Sequence, residues 1–174
     1  MPAPKVAIAC QGGGSHAAFA AGVLRTLLGR KYRDRFQLVA LSGTSGGAMC
    51  AALAWSGLVG GGEPDDAVER LTAFWHDLGV HSFLDAVENF WGVWFARLPV
   101  TVEISPYLYD PTAEARLREL LRRHLRLEAL PPEGTRRAHP KLLIGATDIK
   151  RGIGVTFEGE TLTYDDLIAS AAIP

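Results

Sequence analysis

The chain has 174 residues, of which 48% are hydrophobic and 21% charged, a composition that fits one globular domain with a sizeable core and excludes a disordered segment. Its 18 Lys and Arg against 19 Asp and Glu leave a net charge of −1, so it lacks the basic face of a duplex binder and no nucleic-acid partner is expected. Two cysteines, Cys10 and Cys50, cannot build a disulfide framework or a four-ligand zinc site, and no apolar run is long enough to cross a bilayer.

Lys5 to Cys10 (KVAIAC) is a short apolar run that ends in Gln11-Gly12-Gly13-Gly14. It predicts a buried strand entering a tight turn, and it stops too early to be a secretory signal. Ala20, Val23, Leu24, Leu27 and Leu28 then recur at helical spacing. Gln37 to Ser42 (QLVALS) predicts a second strand, followed by Gly43-Thr44-Ser45-Gly46-Gly47 and a small-residue helix from about Ala48 to Ser56. Strand, glycine turn and helix, twice in succession, indicate a parallel sheet covered on both faces. After the break at Gly57 to Gly62, Pro64 opens a helix whose buried face is Ala67, Val68, Leu71, Phe74, Trp75 and Leu78. Phe83 to Phe95 forms an aromatic stripe, read either as a core helix or as a lipid-facing one. Asp110-Pro111 starts a helix with Leu117, Leu120, Leu121, His124 and Leu125 on one side and Arg116 to Arg126 on the other. A proline-rich loop from Leu130 to Pro140 precedes a strand (Lys141 to Ile149), a turn and a hairpin partner (Ile153 to Phe157). Thr163 with Asp166 caps a last helix, Leu167 to Ala172. These elements predict a soluble, cytoplasmic α/β chain.

Two glycine turns carry the chemistry. Gly43-Thr44-Ser45-Gly46-Gly47 fits G-x-S-x-G between a strand and a helix. A serine on such a turn takes a strained backbone with its Oγ projecting from the sheet edge, and Gly43 and Gly47 remove side chains that would collide there. A glycine turn with an incidental serine is the plainer alternative. Gly12-Gly13-Gly14-Ser15 can turn backbone N–H groups toward an anion. Gly12, Gly14 and Ala17 also satisfy G-x-G-x-x-A, but the second strand ends in Ser42-Gly43-Thr44 without the carboxylate a dinucleotide ribose requires. The two turns explain each other best as a nucleophile, Ser45, facing oxyanion donors from Gly12, Gly13, Gly14 and Ser15.

With these residues in place, the sequence resembles the patatin-like phospholipases. Gln11 to Ala17 resembles the family's oxyanion motif, with His16 and Ala17 where arginine and glycine are usual. Leu41 to Ala48 resembles its nucleophile elbow, Ala146-Thr147-Asp148-Ile149 a recurrent strand, and Ala169 to Pro174 the helix end before the catalytic aspartate. The resemblance implies an α/β three-layer sandwich with a mainly parallel central sheet, spanning residues 1–174 as a single domain incomplete at its C-terminus. It implies a lipid acyl hydrolase of phospholipase A type that acts on phospholipid or another acyl ester through a Ser–Asp dyad, with Ser45 as nucleophile. Neither a metal nor another cofactor is implied, His16 becomes a candidate anion-orienting group, and peripheral membrane contact is expected. The family's aspartate stands in an Asp-Gly pair, and none occurs in these 174 residues. The expectation is therefore an isolated chain without turnover, its base supplied by a C-terminal fragment or second chain. The alternatives are a non-catalytic lipid-binding domain of the same fold and a nucleotide-binding Rossmann domain.

The remaining candidates read as structural. Asp148 falls on a strand position, and Asp165 and Asp166 on a helix start that favours carboxylates. Asp110 with His124 or His139 fits a triad only in chain order. Cys10 and Cys50 read as inert packing.

Overall fold

A computed structural model describes residues 2–59, 64–79, 113–131 and 140–172. The apolar runs form strands β1 (Lys5–Cys10), β2 (Gln37–Thr44), β3 (Lys141–Asp148) and β4 (Ile153–Glu158), hydrogen-bonded in that order. β1, β2 and β3 are parallel, and β4 returns antiparallel beside β3. Helices α1 (Ala17–Leu28), α2 (Gly46–Val59), α3 (Pro64–Leu78), α4 (Ala113–Leu125) and α5 (Tyr164–Ala171) accompany them.

The order of the strands decides where the helices lie. β1 to β2 and β2 to β3 step in the same direction, so two right-handed crossovers put α1 and α2 on the same face of the sheet. α1, α3, α4 and α5 all touch α2. The buried side chains of the sheet, Cys10, Leu41, Leu142 and Ile144, answer this layer, while Ala7 and Ala9 of β1 stay exposed. The predicted mainly parallel α/β arrangement is thus present, and the described residues show two of its layers, the sheet and the helices over one face.

Each helix is placed by its small or apolar residues. α2 is buried from Gly47 through Gly57, as a helix apolar on all sides must be. It starts at Gly46, two residues before the expected Ala48, directly behind the elbow. α1 is rotated from the predicted face: Ala17, Ala21, Leu24 and Leu28 are buried, whereas Val23 is 39% exposed. The alanines let α1 sit close to α2, near enough for Cys50 Sγ to donate to the Ala17 carbonyl at 3.3 Å. In α3, Ala67, Leu71 and Phe74 are buried as expected, but Leu78 is exposed. A side chain at Gly57 would strike the Ala67 backbone, so α2 and α3 meet where both residues are smallest. Leu121 and Leu125 bury α4, and Arg70 closes its C-terminal end by donating to the Leu125 carbonyl at 2.8 Å. Thr163 and Asp166 form the predicted capping box, and α5 begins at Tyr164, earlier than expected.

No described helix is long and apolar enough to cross a membrane. The aromatic stripe, the Asp110-Pro111 helix start, His81, His139 and the centre of the proline-rich loop lie outside the described residues.

Candidate active site

Ser45 stands alone between the last residue of β2 and the first of α2, in the left-handed backbone region at φ +56°. Such a conformation is rare for a residue with a side chain and costs about 1–3 kcal/mol. The surrounding glycines show what imposes it. A Cβ on Gly43 would collide with the Gly47 backbone, and one on Gly47 with the Cys10 carbonyl. The turn therefore closes tightly onto the end of β1. The half-buried Ser45 hydroxyl has no hydrogen-bond partner among the described residues.

The glycine turn after β1 meets this elbow directly. A Cβ built on Gly12 would lie 2.8 Å from the Thr44 carbonyl and 3.3 Å from Ser45 Cβ. One on Gly46 would lie 2.7 Å from the Gly14 carbonyl and 2.8 Å from Ala17 Cβ. Two turns far apart in sequence thus share one site because neither carries side chains where they touch. Gly13 and Gly14 take φ +144° and +55°, a pair of positive angles that glycine alone adopts freely. Their backbone N–H groups have no acceptor among the described residues. Ser15 and His16 follow in a short 3-10 turn that leads into α1. The His16 ring folds back on its own loop, with Nδ1 at 3.2 Å from the Gly13 carbonyl. A carbonyl only accepts, so Nδ1 carries the hydrogen.

A residue that sequence reasoning passed over braces the elbow. Ser170, in α5, is 7% exposed. Its Oγ accepts from the Ser45 N–H at 2.9 Å and donates to the Gly145 carbonyl of β3 at 2.6 Å. The Ser45 amide is thereby committed to the scaffold, whereas those of Gly13 and Gly14 meet no acceptor among the described residues. Nothing in an alanine-rich helix marks one serine as such a bridge; only the pairing of Thr44 with Gly145 brings the three residues together.

The other candidates stand apart from Ser45. Asp148 Oδ1 accepts from the N–H groups of Lys150 and Arg151 at 3.0 and 3.2 Å, holding the hairpin turn. Asp165 pairs with Arg118 at 2.6 Å, and Asp166 closes the capping box. His124 Nε2 lies 2.9 Å from Asp77 and belongs to the α3–α4 contact. A depression of about 520 Å³ beside that contact, lined by Asp66, Glu69, Arg70 and Arg123 among others, is likewise remote from the elbow. One of about 400 Å³ adjoins it, floored by Ala9, Ser42, Leu143 and Gly145 on the sheet face away from the helices. Burial pushes the Cys50 thiol up to about 11 and raises that of Cys10, so neither supplies a thiolate near neutrality. Among the described residues no group of His, Cys, Asp or Glu gathers as a metal site would require.

A family model described as Patatin-like phospholipase matches residues 8–174. No curated protein matches the chain. The match covers nearly the whole sequence, and the chain belongs to the patatin-like phospholipase family.

Proposed function

We propose, taking membership of the patatin-like phospholipase family as the premise, that the chain carries the nucleophilic half of a lipid acyl hydrolase, with Ser45 as the attacking group. The observation that carries this is the contact of the two turns: a strained, half-buried serine beside glycine amides that have no acceptor among the described residues. Ser45 Oγ attacks the carbonyl carbon of a phospholipid or other acyl ester. The developing oxyanion is held by the N–H groups of the Gly12–Ser15 turn, with Gly13 and Gly14 as donors and the N-terminus of α2 adding a favourable field. The alcohol leaves, and water attacks the acyl-enzyme to release the fatty acid and restore Ser45. Gly43 and Gly47 keep the elbow tight, while His16 orders the glycine turn through its bond to Gly13. The chemistry uses neither a metal nor a cofactor.

The proton acceptor is an aspartate from outside these 174 residues, supplied by a C-terminal portion or a second polypeptide, since the sequence holds no Asp-Gly pair. In a cytoplasmic setting the protein would meet its lipid peripherally. Hydrolysis of a nitrophenyl ester tests the assignment. The 174-residue chain is expected to show no turnover, and adding the polypeptide that bears the Asp-Gly pair is expected to restore it, dependent on Ser45. Turnover by the isolated chain that Ser45→Ala abolishes would overturn the missing-base assignment. Failure of a fluorophosphonate to label Ser45 in the completed protein would favour a non-catalytic lipid-binding domain.

A further inference from the structure

The turn that joins α1 to β2 gathers positive charge. Arg30, Lys31, Arg33 and Arg35 follow one another closely, and Asp34 is the single acid among them. The turn is fixed by its own backbone: the Tyr32 and Arg33 N–H groups donate to the Gly29 carbonyl at 3.0 and 3.2 Å, and that of Arg35 to the Tyr32 carbonyl at 2.9 Å. Its cations are held in two pairs. Arg30 and Arg33 share Asp65 of α3, with guanidinium nitrogens at 3.1 and 3.2 Å from its two oxygens. Lys31 Nζ and Arg35 Cζ lie 5.2 and 5.5 Å from the centroid of the half-buried Tyr32 ring. Both side chains are exposed, and neither they nor Asp34 joins an ion pair among the described residues. Like charges drawn to one ring repel each other, and the attraction of the ring offsets this by only about 0.5–1 kcal/mol per exposed cation.

Four cations against Asp34 and Asp65 leave this turn and its anchor with a charge of +2 (4 − 2), and Lys5, paired in register with Gln37, adds one more. Asp66 is exposed as well but lines the depression at the α3–α4 contact. The chain as a whole carries −1, so the surplus is local. Gln37 opens β2 and Thr44 closes it, which sets the turn roughly 25 Å from the elbow, at the opposite end of the sheet. The base that Ser45 requires has to arrive at the other end. None of the exposed large apolar side chains belongs to the turn, so nothing in it inserts among acyl chains. A duplex nucleic acid would need a more extended basic face. Carboxylates on a peptide fit best, because a guanidinium offers them two parallel hydrogen bonds and an ammonium a point charge.

We propose that the α1–β2 turn is a docking site for an acidic polypeptide segment, whose carboxylates meet Lys31 and Arg35 across Tyr32 with Arg30 and Arg33 alongside. The site is separate from the ester chemistry assigned to Ser45 and does not depend on it.

Fluorescence anisotropy of a labelled peptide of alternating Glu and Gly tests it on the 174-residue chain. Saturable binding is expected at about 50 mM salt, weakening as salt is raised to about 500 mM. Lys31→Glu with Arg35→Glu is expected to weaken it about tenfold or more, and the milder Lys31→Gln with Arg35→Gln about threefold. Their thermal midpoints stay near that of the wild type, because exposed side chains are replaced. Lys150→Glu with Arg151→Glu makes the same change in net charge at the other end of the sheet and is expected to bind the peptide like the wild type. Absence of saturable binding by the wild type overturns the proposal. So does an equal loss in the two charge-reversed variants, which would reduce the effect to net charge. Unchanged peptide binding by Lys31→Glu with Arg35→Glu, together with lost flotation on phosphatidylglycerol vesicles, overturns it in favour of lipid headgroups. Ser45→Ala is expected to bind the peptide as the wild type does, so docking and ester turnover are read independently.

Discussion

Ser45 is held at φ +56° by its neighbours and not by its own preference. The strain predicts that function and stability oppose each other at this position. Ser45→Gly relaxes the left-handed backbone and is expected to raise unfolding free energy by about 1 kcal/mol, the relief being partly offset by glycine's greater unfolded-state entropy. Ser45→Ala, which keeps a Cβ, should show no such gain. A higher urea midpoint for alanine than for glycine would refute strain as the cause. The glycines around this residue were legible in the sequence because steric exclusion leaves a pattern that does not depend on remote partners. The folding back of His16 onto Gly13 was not legible, because a ring next to a glycine loop can equally turn outward.

Elements were recognised better than their contacts. The apolar side of α4 announced that His124 would face inward, but its partner, Asp77, lies 47 residues earlier on α3. Asp77 also approaches Arg123 at 3.5 Å and His76 at 3.4 Å. Hydrogen bonding from His124, then from His76, holds its carboxyl below the usual value of 3.8. A carboxylate depressed in the folded state contributes stability above its unfolded value and loses that contribution as pH falls through the folded one. The α3–α4 contact should therefore weaken on acidification below pH 3.8. Asp77→Asn is expected to be less stable than the wild type at neutral pH and to show a flatter decline in acid, as read from urea midpoints across that range. Parallel declines for the two proteins would count against this origin. The rotation of α1 escaped prediction for a related reason: apolar spacing picked out the larger residues, and the helix turned Ala17 and Ala21 toward α2, where small residues permit a shorter distance.

At the scale of the molecule, the repeated strand–turn–helix units foretold the parallel sheet, but not the side on which the described helices gather. That side depends on strand order, and strand order depends on pairings between residues far apart in the chain. Ser170 shows the same dependence at its strongest. It ties the elbow to β3 across 125 residues, linking the earliest crossovers to the last described helix. Ser170→Ala leaves the Ser45 N–H and the Gly145 carbonyl without their shared partner, at an expected cost of about 1–3 kcal/mol. The same variant should slow fluorophosphonate labelling of Ser45 under conditions where the protein remains folded. Unchanged labelling would reduce Ser170 to a packing role.

That brace also has a consequence in time. During synthesis Ser45 emerges 125 residues before the hydroxyl that steadies its amide, an interval of roughly 6–25 s at the usual pace of about 5–20 residues per second. The elbow is thus made well before the hydroxyl that fastens it, and throughout that interval the Ser45 amide lacks the partner it has in the folded chain.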